Sequence, residues 1–129
     1  MKKIWNFIKR VYKRITRKPA IIFVTWYAKL LFDQGVEAAE RRRIKENTII
    51  YLAADSWHPN KLKTYNKLQF KAEKRIYGIS AQLITMNTLR RECYYYTADK
   101  FGQNGISDHD KEVRKKAFIR ERLRYAKLI

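Results

Sequence analysis

Four glycines and two prolines are all that this 129-residue chain spends on the two residues that most strongly interrupt regular structure. That scarcity constrains the fold more than any motif does. Hairpins draw on Asn-Gly or Asp-Gly pairs flanked by alternating apolar residues, and the one such pair, Asn104-Gly105, sits in a polar stretch without alternation. The sequence therefore predicts an all-α protein, a small single-domain bundle of about five helices. One domain is the normal content of a chain this long, and a composition 46% hydrophobic and 14% aromatic supplies a core.

Helical periodicity divides the chain as follows. Residues 1 to 18 form a basic amphipathic helix, with Ile4, Phe7, Ile8, Val11 and Ile15 on one side, Trp5 and Tyr12 at its edge, and cations opposite. Pro19 is expected to end that helix or start the next, which makes 1–18 a candidate assembly anchor jointed to a helical domain over 19–129. Residues 20–34 and 36–54 read as one helix bent near Gly35, or as two. Within this stretch Thr48-Ile49-Ile50-Tyr51-Leu52 fits a short buried strand as well as a helix; it is assigned here to helix. A turn at 56–60 leads to a helix over 61–77, closed by Gly78 as a C-terminal cap. A further helix begins at Ile79 and ends between Tyr96 and Phe101. After a loop at 102–107, Ser107 with Asp110 three residues on resembles a capping box and opens a last helix to about Leu128.

Charge is the strongest statement about partners. Thirty Lys and Arg against twelve Asp and Glu leave a net charge of +18, far beyond what solubility requires, so a polyanion is the expected company. Residues 1 to 32 carry nine cations and no acid. Three rows space cations by one helical turn: Lys9, Arg10, Lys13, Arg14 and Arg17; then Lys63, Lys67, Lys71 and Lys74; then Lys116, Arg120, Arg124 and Lys127. A solvated face ordinarily mixes both signs, and these rows hold almost no compensating acid, so all thirteen residues are candidate phosphate contacts. Arg41-Arg42-Arg43 is balanced by Glu37, Glu40 and Glu46 and reads as intrahelical pairing. Aromatic residues near the rows are explained by helix packing at least as well as by base stacking. A helix-turn-helix around Gly78 has only Ser80, Gln82 and Asn87 to offer as a reading head, so backbone contact is favoured over base readout.

Catalytic and metal chemistry find little to build on. Cys93 is the only cysteine and His58 and His109 the only histidines, which excludes an intrachain disulfide and the usual four-ligand Cys/His zinc sites. Asp108-His109-Asp110 is the densest ligand set, but it opens a helix, where acids suit the dipole. Asp55 with His58 has neither nucleophile nor anion hole beside it, and no glycine-rich phosphate loop occurs. No cofactor and no catalytic residue is assigned. The most apolar run, Ala20 to Phe32, reaches about 20 Å, short of a roughly 30 Å hydrocarbon core. No secretory signal is recognisable in the basic first residues, and the expected setting is intracellular or within a particle.

In style, a small, basic, helix-rich chain is similar to accessory proteins of ribosomes and phage particles. The expected function is thus a non-enzymatic structural component of a large nucleoprotein assembly, a ribosome-like particle or a virion, touching nucleic-acid phosphates and protein neighbours. The main alternative is a peripheral protein anchored on an anionic membrane by its N-terminal amphipathic helix. A third is a soluble regulator that binds an acidic protein surface.

Overall fold

The computed structural model describes the backbone of residues 2–129 apart from 56, 59 and 77, and the side chains of those residues apart from 2, 3, 5 and 7–16. The elements run α1 (Lys2–Glu46), β1 (Ile50–Ala54), β2 (Leu62–Asn66), α2 (Lys67–Ile76), a 3₁₀ turn (Ala81–Leu83), α3 (Met86–Glu92), β3 (Tyr95–Tyr96) and α4 (Asp108–Tyr125). The all-α expectation is overturned: four helices accompany a three-stranded antiparallel sheet in the order β2-β1-β3. Helix still takes 80 of the 129 residues and strand 12, which is why so few turn residues suffice.

The stretch assigned to helix at 48–52 is where the expectation fails. Asn47 adopts a positive φ of 52° just after α1 ends, and asparagine tolerates that left-handed conformation better than most residues. The chain then extends. Ile50 and Leu52 point to one side of the sheet, with Ala28, Phe32, Ala39 and Phe118 from α1 and α4. Tyr51 and Ala53 point to the other, with Phe70, Ile84 and Leu89 from the α2–α3 side. A central strand covered on both faces has no polar alternation to display, so β1 reads as an unbroken apolar run.

Two other expected helices are shortened. Residues 62–66 pair with β1, Tyr51 opposite Tyr65 and Leu52 opposite Thr64, so α2 starts only at Lys67. Its C-terminus is closed as expected: Gly78 has φ 83°, and Gly78 N and Ile79 N donate to Arg75 O and Lys74 O. The expected helix from Ile79 becomes the 3₁₀ turn, α3 capped by Thr85, and β3. Ser107 does cap α4, its Oγ accepting from Asp110 N at 3.2 Å.

α1 runs without interruption through Pro19 and Gly35, so neither residue ends or divides it. Pro19 forfeits one hydrogen bond to the preceding turn, a loss the helix survives because its following half is clamped to the body. Gly35 is needed for close approach: a Cβ there would lie 2.8 Å from both Leu52 methyls. α4 packs antiparallel to α1, since Lys115 Nζ bonds Asp33 Oδ1 at 2.7 Å while Arg17 reaches Leu128 O. At about 1.5 Å per residue the 45 residues of α1 span roughly 67 Å, so its first turns extend past the end of α4.

β3 is held to β1 by a buried threonine. Thr97 Oγ1 accepts from Ile50 N at 2.9 Å and Thr97 N donates to Ile50 O at 3.0 Å. Thr97→Val keeps the volume but orphans the Ile50 N–H, and is expected to cost about 1–3 kcal/mol. Urea unfolding measures it; a midpoint unchanged from wild type would show that the amide finds another partner.

Candidate nucleic-acid interface

The structure treats the three cationic rows differently. Of the first, Arg17 alone has a described side chain; Lys9, Arg10, Lys13 and Arg14 lie outside the described side chains. Arg17 is exposed, and its Nη2 and Nε donate to the Leu128 carbonyl at 2.8 and 3.3 Å. That bond ties the C-terminal end of the chain to α1 at the border of its most basic stretch.

On α4 the third row survives as a row. Lys116, Arg120 and Arg124 are exposed on the face turned away from buried Phe118, in steps of about 6 Å. Lys127, also exposed, lies just beyond the helix end with φ 59°. Of the acids of α4, Glu112 is exposed one turn before Lys116, and none forms an ion pair with Lys116, Arg120 or Arg124 among the described residues. Asp108 and Asp110 are in its first turn, where the dipole favours them, and the Glu121 carboxylate accepts the Tyr94 hydroxyl at 2.5 Å.

The second row is taken apart. Lys63 stands on β2, not on a helix with Lys67, Lys71 and Lys74. The ammonium of Lys63 lies 5.4 Å from the centre of the Tyr65 ring, and that of Lys74 lies 5.3 Å from the centre of Phe70. Those two rings stack on each other at 5.5 Å and 17°, so the two lysines bracket an aromatic pair. Lys74 also meets Glu92 at 3.5 Å. Lys63 and Lys67 are exposed while Lys71 and Lys74 are half-buried, so the four no longer form one outward row.

Among the described residues, the carboxylate–cation pairs are Arg42–Glu46, Arg43–Glu40, Lys74–Glu92 and Lys115–Asp33. None uses Lys116, Arg120, Arg124 or Arg17. Exposed cations outside these pairs also stand elsewhere, Lys18, Lys29, Arg41, Lys61 and Arg75 among them; what sets α4 apart is that Lys116, Arg120 and Arg124 follow one another at single-turn spacing on one face.

No protein family model, no curated protein and no solved structure matches this chain. The site therefore has to be read from its own chemistry.

Sequence reasoning missed a cleft of about 460 Å³ between α2, the end of α3 and α4. Its lining mixes Glu73, Glu92 and Glu121 with Lys74, Arg91 and Arg114, a balanced set that does not attract a polyanion. Glu73 is buried; its Oε1 accepts the Tyr65 hydroxyl at 3.0 Å, and its Oε2 has no partner among the described residues. The available signal was a single acid among Lys71, Lys74 and Arg75. Arg114 Nη1 donates to the carbonyls of Arg90 and Cys93 at 2.5 and 2.9 Å, placing a cation at the C-terminal end of α3.

The remaining candidates take structural places. Asp55 accepts the N–H of Trp57 at 2.9 Å and Asp99 those of Phe101 and Gln103; these backbone donors hold both carboxyls below their usual range. Asp108, His109 and Asp110 are exposed at the start of α4. Among the described residues no three such side chains gather as a metal site, and no helix is long and apolar enough to cross a membrane. Burial pushes the Cys93 thiol up to about 11, against the opposing charge of Arg114. Folded Cys93 thus stays protonated where an unfolded thiol ionises, and the stability this represents is lost as pH rises from about 9 toward 11. At pH 8, iodoacetamide is expected to label the native chain at least about tenfold more slowly than the chain in urea. Equal rates would place the thiol at the surface.

Proposed function

We propose that the chain is a non-enzymatic structural component of a large nucleoprotein assembly, ribosome-like or virion-like, that lies against nucleic-acid phosphates through the outer face of α4 and the adjoining part of α1. The observation that carries this reading is the Arg17–Leu128 bond. It joins the end of the exposed Lys116, Arg120 and Arg124 row to the end of a helical segment whose residues 2 to 18 hold eight cations and no acid. Two rows that are about a hundred residues apart in sequence would thereby form one track. Such a track releases counterions as it neutralises phosphates and needs no base-specific group to bind.

Protein neighbours would meet exposed apolar side chains on the other side of the sheet, such as Leu68, Ile76 and Leu83. Titration of the full chain against a labelled duplex at several salt concentrations tests the reading, with K116Q/R120Q/R124Q as the arm that isolates α4. Loss of affinity in the triple variant with unchanged helicity supports the track. Full affinity at moderate salt removes α4 from the contact surface.

A further inference from the structure

α1 carries a second surface, on the side opposite Arg17 and buried Ala28. Ile22, Phe23 and Trp26 are 70%, 61% and 58% exposed, and with Pro19 they line an open apolar groove of about 430 Å³. Phe23 contacts the rings of Trp26 and Tyr27, each at 6.2 Å. At 100° per residue Trp26 lies about 160° around the helix from buried Ala28 and about 180° from Arg17. The body of the protein therefore cannot cover this face. Because α1 is continuous, Ile4 stands five full turns before Ile22 on the same line, and it too is exposed, at 66%.

We infer that this face of α1 docks in the plane of an anionic lipid bilayer, with Ile22, Phe23 and Trp26 entering the boundary between headgroups and acyl chains. The inference does not rest on the nucleic-acid reading, since it uses the opposite side of the helix. Three features choose this occupant. Residues 1 to 32 hold nine cations and no acid, so the partner surface is negative. Lys18 and Lys29, both exposed, flank Ile22 along one edge of the face, at the height of headgroup phosphates.

The third feature is where the face stops. Beyond Leu30 the same side of the helix presents Asp33, already paired with Lys115 of α4, and then Glu37, a carboxylate that an anionic surface repels, so the contact ends about 40 Å from Ile4. A second copy of the chain fits worse. Pairing α1 with α1 through Pro19, Ile22 and Trp26 would bring Lys29 into the seam and oppose two segments that each hold nine cations and no acid over residues 1–32. Shallow insertion of tryptophan beside lysine is what an interfacial helix provides, and no membrane-crossing length is required.

The test must separate insertion from simple adsorption, because a chain of charge +18 clings to any anionic vesicle. The full chain with Trp5→Phe and Trp57→Phe, in which Trp26 is the sole tryptophan, is mixed with vesicles of phosphatidylglycerol and phosphatidylcholine carrying brominated acyl chains. Trp26 emission is expected to shift blue and to fall by roughly half or more. Phosphatidylcholine vesicles alone should leave it unchanged. In flotation assays Ile22→Glu with Trp26→Glu should lower vesicle affinity by roughly a hundredfold, since two inserted side chains are lost, while circular dichroism stays at the wild-type value.

Binding without quenching overturns the inference, because the face then stays in water. So does a double-glutamate variant that floats as well as wild type. A sedimentation dimer that this variant dissolves would assign the face to a second copy, and Trp26 quenched by duplex DNA in place of vesicles would assign it to bases; either result rejects the bilayer.

Discussion

Phe118→Ala is expected to destabilise the protein by about 3–5 kcal/mol, the cost of emptying a buried aromatic site. Phe118 is fully buried where three elements meet. Its ring lies 6.1 Å from Phe32 of α1 and 5.1 Å, edge-on, from Tyr94 beside β3, and the Arg122 guanidinium stands 5.4 Å over it. Beside it, among the described residues, only half-buried Ile119 of α4 packs against the same cluster, and the partly exposed Lys115–Asp33 pair adds little. The cavity would thus open at the main apolar tie between α4 and the body. For a chain of this size the loss corresponds to a fall of about 10–20 °C in Tm. Phe101→Ala, at an exposed loop position, should move Tm by about 1 °C or less and serves as the control. A fall no larger than the control's for Phe118→Ala would mean that α4 is not held through this ring.

The legible parts of the fold are those where one local signal decides the structure. Ser107 before Asp108 and Asp110, and Gly78 after Arg75, act through their own side chain or backbone, and both ends form where the sequence places them. The sheet was illegible for a physical reason. β1 is buried on both faces, so its side chains carry neither helical nor strand periodicity, and β2 shares its lysine spacing with the helix that follows. Asn47 was the one local cue, and its weight depends on the left-handed conformation it takes only because the strand beyond it is packed. Pro19 misled in the opposite sense. A proline that ends an isolated helix can sit inside one that tertiary contacts extend on its far side.

The same division explains the candidate site. Exposure of Lys116, Arg120 and Arg124 follows from their separation from Phe118 around the helix, which the sequence encodes. The diversion of Lys63 and Lys74 onto the Tyr65 and Phe70 rings depends on β2 folding back over α2, which the wheel of a continuous helix cannot represent. Nor does any local pattern announce that residue 17 meets residue 128.

K116Q/R120Q/R124Q is expected to weaken duplex binding by roughly a hundredfold at low salt and to flatten its salt dependence. Each phosphate neutralised on duplex DNA contributes a slope of about −0.9 in log K against log salt. If the proposed track along α4 and the start of α1 carries most of the contacts, a wild-type slope of about −3 to −7 follows. Removing three contacts should reduce its magnitude by about 2 to 3. Lys63→Gln with Lys74→Gln is the informative contrast: as free phosphate contacts they would change the slope by nearly 2, whereas cations seated on rings should change it by well under 1. Affinities for unrelated duplex sequences should agree within about threefold, since positioning contacts read no bases. A triple variant with the wild-type slope would mean that the α4 row faces solvent or protein in the bound state. A steep slope with strong preference for one sequence would mean that base edges are read, and Gln82, Asn87 and Arg90 on the α3 side would be the residues to replace next.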